Sequence, residues 1–175
     1  MKPIFDLDDS EILKAGKFLA AFIISFSVIG FLLSLLPLES VEAFFALPTL
    51  AILKIFGLDG TLNTSAEPIL IILNGLDMPI SISYLCTGLM EVAIISAAVI
   101  SSFGISLQKR AIGIVSAIAT IIVFNLLRIV TSILFIIWFG LGVGGFSHDL
   151  LFRIFLFVVI AGFYYAWFGW ATKRK

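Results

Sequence analysis

The sequence predicts an all-α, multi-pass membrane protein. The expected architecture is about four full transmembrane helices, one or two re-entrant or interfacial helices, and a short external β-hairpin. Of the 175 residues, 61% are hydrophobic and only 13% are charged. Several apolar runs reach the roughly 20 residues that a helix needs to cross a bilayer. A segment in hydrocarbon must satisfy its own backbone, so such runs cross as helices. Composition also excludes classes. The net charge is zero and no basic groove is visible, so no nucleic-acid partner is expected. A single Cys forbids an intrachain disulfide, and one Cys with one His falls short of a zinc site. No Gly-rich phosphate loop occurs, and no metal or cofactor is expected.

Residues 1–175 read as a single membrane-embedded domain. The polar start, "MKPIFDLDDSEILKAGK", lacks the basic n-region and cleavage site of a removable signal peptide, so the helix after it is expected to be retained. The first main span covers 18–36 and stops at Pro37. "VEAFFALPTLAILKIFGL" is broken by Pro48 and Lys54 and reads as interfacial or re-entrant. "DGTLNTSAEP" is polar. "ILIIL", the turn-like "NGLDMP" and the alternating "ISISYL" predict a β-hairpin outside the bilayer core. The second span covers 88–107, closed by "QKR", and the third covers 111–128. "IVTSILFIIWFGLGVGGF" follows, its second half weakened as a helix by four glycines. The last span covers 150–171 and ends in "KRK".

Three basic clusters orient the chain: Lys14 with Lys17, Lys109 with Arg110, and Lys173 to Lys175. The positive-inside rule puts all three, and both termini, in the cytoplasm, which four full crossings allow. Arg110 and Arg128 are 18 residues apart, about 27 Å of helix against a hydrocarbon thickness of about 30 Å. Arg128 is therefore expected near the outer face. Cys86 precedes the second span and His148 precedes the last, so both fall at the same face.

That shared depth suggests thiol chemistry. Cys86 would act as a thiolate, favoured by the positive end of a helix and by His148 as proton acceptor. An arginine inside a membrane is a functional hypothesis in itself, and Arg128 suits an oxyanion or a substrate carboxylate. The backbone N–H groups of Thr87 and Gly88, free at a helix start, would join it, and Gly88 would admit a substrate backbone closely. Asn125 lies one turn before Arg128 on the same face and would orient it or a ligand. Each residue also has a purely structural reading: Cys86 as a small filler, His148 as a cap, Arg128 as a snorkelling side chain. Glu91 and Arg153, about one turn inside the membrane, read as a buried pair, or Arg153 as a partner of Asp149. The aromatic groups of "FYYAWFGW" read as an interfacial belt.

The ordered motifs "CTG" (Cys86 to Gly88), "NLLR" (Asn125 to Arg128) and "SHD" (Ser147 to Asp149) resemble the exosortase/archaeosortase family, and the compact archaeal members more than the many-span bacterial ones. The resemblance covers roughly the second half of the chain. It implies a membrane cysteine transpeptidase acting on exported proteins that carry a C-terminal motif, a transmembrane helix and a basic tail. It implies Cys86 as nucleophile, His148 as general acid/base with Arg153 as rival for that role, and Arg128 as transition-state or substrate clamp. The new C-terminus would pass to an acceptor, a membrane lipid in archaeal members. Two alternatives remain: a hydrolytic membrane cysteine protease, and a non-catalytic small transporter or assembly subunit in which Glu91, Arg128 and Arg153 line a polar path.

Overall fold

The computed structural model describes residues 9–76, 78–146 and 152–173, with the side chains of Phe152 and Arg153 outside the described set. The chain runs α1 (Asp9–Ser34), α2 (Leu38–Ile55), β1 (Gly60–Asn63), β2 (Ile69–Leu73), β3 (Ile80–Ile82), a 3₁₀ turn (Tyr84–Cys86), α3 (Leu89–Ser101), α4 (Leu107–Phe146) and α5 (Phe152–Thr172). Among the described residues, three helices are long and apolar enough to cross a membrane: α1, α4 and the stretch Ile154–Thr172 of α5. This is a helical membrane protein carrying one small sheet.

The elements form two layers. In the first, α3 packs against α1, α4 and α5. Ile95, Ala117 and Ile121 make its middle, and Val99, Ile105, Trp167 and Ala171 close one end. Gly113 lets α4 and α5 approach there, because a Cβ on it would collide with the Trp167 indole. The indole N–H donates to the Lys109 carbonyl at 3.1 Å. The basic residues of "QKR" have a structural role at this end. Arg110 Nη1 donates to the Ile100 carbonyl of α3 at 2.9 Å, and Lys109 Nζ to the Ala171 carbonyl of α5 at 2.6 Å. Each cation thus caps the C-terminus of a neighbouring helix, where orphan carbonyls and the helix dipole favour it. Lys14 and Lys17 line a cavity at the same end with Ser102 and Tyr164.

The second layer holds the sheet. β1, β2 and β3 pair antiparallel in that order, with Leu62 opposite Ile71 and Ile71 opposite Ile80. One face of the sheet buries Ile69, Ile71, Leu73 and Ile82 against Phe45, Leu50 and Leu53 of α2 and Ile129 and Ile133 of α4. Each such side chain removed from water contributes roughly 1.5–3 kcal/mol. The buried Glu42 of α2 accepts a hydrogen bond from the Ile69 N–H at 3.0 Å, tying helix to sheet.

Several boundaries differ from the sequence expectation. The expected hairpin is β2–β3, but "GTLN" from the supposed polar patch adds β1 as a third strand. The second span is shorter than 88–107: α3 ends at Ser101, and the chain turns at Gly104 with φ +80°. "QKR" therefore opens α4 instead of closing α3. The third span does not end at Arg128. It continues through the next apolar stretch as one 40-residue helix, broken only at Gly140 with φ 83° and ψ 170°. Pro48 does not interrupt α2. That helix packs on the sheet and on α4, and it is not among the three candidate spans.

Candidate active site

The chain reaches Cys86 directly from β3. Ser83 is extended, and the 3₁₀ turn closes through Cys86 N–H to the Ser83 carbonyl at 2.8 Å. The half-exposed Cys86 Sγ lies 3.6 Å from Ser83 Oγ. Thr87 is buried and locks the turn. Its N–H and its hydroxyl both donate to the Tyr84 carbonyl, at 3.1 and 2.6 Å. This corrects one expectation: the Thr87 N–H is engaged inside the turn and is not a free oxyanion donor. Gly88 then takes a left-handed conformation, φ 75° and ψ 11°, and α3 begins at Leu89.

Asn125 comes to this turn from α4. It is fully buried, and its Nδ2 donates to the Cys86 carbonyl at 2.7 Å. Its Oδ1 has no hydrogen-bond partner among the described residues. Gly88 makes the approach possible, since a Cβ there would stand 3.2 Å from both Asn125 Cγ and Ile121 Cγ2. The close contact expected at Gly88 is thus with α4. Asn125 orients the cysteine backbone, where the sequence suggested Arg128 or a ligand.

A cavity of about 420 Å³ opens beside the thiol. Ile80, Ile82 and Cys86 line one wall, and Ile129, Ser132 and Ile133 of α4 line the other. The break at Gly140 folds the last turns of α4 back, and Leu141, Gly144 and Gly145 line the cavity from there. Gly144 then sits so near Ile136 that a Cβ would collide with it. Sequence reasoning missed Ser83, Ser132 and this fold-back. Ser132 is hard to single out because its hydroxyl simply donates to the Arg128 carbonyl one turn back, at 2.8 Å.

The remaining expected residues are distributed unevenly. Arg128 is 5% exposed on the turn after Asn125, and its Nε has no hydrogen-bond partner among the described residues. It does not line the cavity that Cys86 borders. Glu91 is half-buried in the first turn of α3. His148 and Asp149 lie outside the described residues, and Arg153 opens α5 with its side chain outside them. The structure therefore joins "CTG" to "NLLR" in space. The third motif falls outside the described residues. No family model, curated protein or solved structure matches this chain.

Proposed function

We propose that this chain is a membrane cysteine transpeptidase that cleaves the C-terminal sorting signal of exported proteins and transfers the new C-terminus to an acceptor, a membrane lipid being favoured. The observation that carries this reading is the bond from Asn125 to the Cys86 carbonyl. It brings together two motifs 39 residues apart, at the rim of an apolar cavity. In the proposed reaction the Cys86 thiolate attacks the scissile carbonyl. The C–N bond breaks, the leaving amine takes a proton, and a thioester remains on the enzyme. The acceptor then attacks the thioester and releases the thiol. His148 is assigned the proton transfers and Arg128 the clamp, with Arg153 as rival to His148. Apolar walls limit water and so favour transfer over hydrolysis.

The same reading places both termini in the cytoplasm and the site toward the extracytoplasmic face. Its support is the gathering of Lys14, Lys17, Lys109 and Arg110 at the end of the bundle opposite Cys86. One observation favours a second reading, a non-catalytic transporter or assembly subunit: Arg128 is buried away from the cavity that Cys86 lines.

The test is a processing assay. The chain is co-expressed with exported proteins of its host bearing a C-terminal motif, helix and basic tail, wild type against Cys86→Ala. Loss of the mature band in the mutant alone supports the reading, and mass spectrometry of the new C-terminus separates transfer from hydrolysis. Equal processing in both removes Cys86 as nucleophile.

A further inference from the structure

β3 is one of the two edge strands of the sheet, and it borders the cavity that Cys86 also lines. The ladder fixes which backbone groups face outward. Asn74 N–H donates to the Asp59 carbonyl at 2.8 Å, so Asn74 points its backbone at β1. Backbone groups alternate along an antiparallel strand. Leu70 and Ile72 therefore also face β1, while Ile69 and Ile71 turn their backbone the other way, toward β3, with the Ile69 N–H taken by Glu42. Their partners Ile82 and Ile80 face back into the sheet. Ser81, between them, turns its N–H and C=O to the open edge. The alternation leaves both groups outside the β2–β3 ladder. Ser81 itself lines the cavity, and no charged side chain among the described residues does so.

We infer that β3 binds an extended, uncharged, apolar peptide segment by strand addition: Ser81 supplies the backbone hydrogen bonds, and the apolar walls take alternate side chains. An open strand edge offers such pairing, and the pockets beside it select side chains. The cavity volume of about 420 Å³ lies within the range that small binding sites use, roughly 300–1,000 Å³. A charged side chain there would be desolvated with no counter-ion among the described lining residues. β3 leads into the turn that carries Cys86, so a strand on its edge lies alongside the thiol. The inference rests on the proposed function, and it names how that site recognises its substrate.

The test uses purified full-length protein and peptide chloromethyl ketones, which alkylate a thiol by displacing chloride. The parent probe is acetyl-Ala-Ala-Phe chloromethyl ketone. Its analogues carry an N-methyl group at each position in turn, or glutamate in the middle. Iodoacetamide, which needs no peptide recognition, reports the intrinsic reactivity of Cys86. Mass spectrometry reads labelling at Cys86. The expected result is that one N-methyl analogue and the glutamate analogue label about tenfold more slowly than the parent, since a lost backbone bond or a buried charge is involved. Ser81→Pro removes only the outward N–H, which edge strands tolerate. It should slow the parent probe about tenfold with the iodoacetamide rate within twofold, and Ser81→Ala should change neither. If iodoacetamide labels Cys86 but every N-methyl analogue matches the parent, strand addition is overturned and the thiol enzyme reading survives. If iodoacetamide does not label Cys86 at all, both fail together.

Discussion

The side-chain amide of Asn125, fully buried in α4, holds the backbone carbonyl of Cys86 at 2.7 Å. The thiol sits on a short 3₁₀ turn, and this bond ties the turn to α4. Asn125→Ala leaves the Cys86 carbonyl without its donor and is expected to cost about 1–3 kcal/mol of stability. Cys86 alkylation by the peptide probe should slow at least tenfold while iodoacetamide labelling persists. Thermal unfolding in detergent and the two labelling rates check this together. An unchanged peptide rate would show that the turn holds itself.

Gly88 has two independent reasons to stay glycine. Its φ of 75° is strained for any L side chain, and an added Cβ would press on Asn125 and Ile121 at 3.2 Å. Gly88→Ala is expected to destabilise the protein by about 1–3 kcal/mol and to weaken the Asn125 bond with it. The double variant Gly88→Ala with Asn125→Ala should then cost less than the sum of the singles, because both act on one contact. Additive costs would refute that coupling.

Arg128 separates structure from chemistry. Its Nε is buried and has no partner among the described residues, so removing the charge relieves a desolvated group and breaks no bond shown there. Arg128→Met should melt within about 1 kcal/mol of wild type yet abolish processing. Arg128→Lys should also fail to process, since an ammonium does not reproduce the planar fork of a guanidinium. Full processing by the lysine variant would reduce Arg128 to a bulk charge. A strongly destabilised methionine variant would make it a structural residue.

At the opposite end of the bundle, Gly113 faces the Trp167 indole without room for a methyl group. Gly113→Ala should push α5 from α4, break the indole bond to the Lys109 carbonyl, and cost about 1–3 kcal/mol as an overpacked contact. Tryptophan fluorescence and thermal stability report it. Cys86 alkylation should stay within twofold, because the site lies at the far end of α3.

The membrane character was legible because it is carried by long uniform runs. "ISISY" was legible as a strand because alternation survives even in a short segment, and "ILIIL" because it is a short apolar run ending at the turn-like "NGLDMP". β1 was not, since "GTLN" is four residues with a single apolar one buried in the pattern, and only its pairing to β2 makes it a strand. The α3–α4 boundary misled because Lys109 and Arg110 look like the end of a span. Their partners are carbonyls of α3 and α5, which no local window shows. The glycines after Trp138 did weaken the helix, but the break falls at Gly140 alone, where φ turns positive. In the site, Cys86, Gly88 and Asn125 were picked out by residue type and depth. Their contact, and the cavity built by the Gly140 fold-back, arise from tertiary packing that spacing cannot encode.

The outer layer has a flank that bears on how anything reaches the groove. α2 turns Phe44, Leu47 and Ile55 outward, with Ile55 83% exposed, while its other face is sealed on the sheet. An exposed apolar row of this kind suits acyl chains better than water. On the proposed reading this row would moor the sheet, its open edge and the thiol to the same film that α1 and α5 are long enough to cross. Under the proposed function, a substrate tethered in that film would reach the groove by lateral diffusion over a plane, at a fixed height and a restricted tilt. The search loses a dimension before any contact forms, and a weak recognition segment suffices where a freely diffusing peptide would need a tight one.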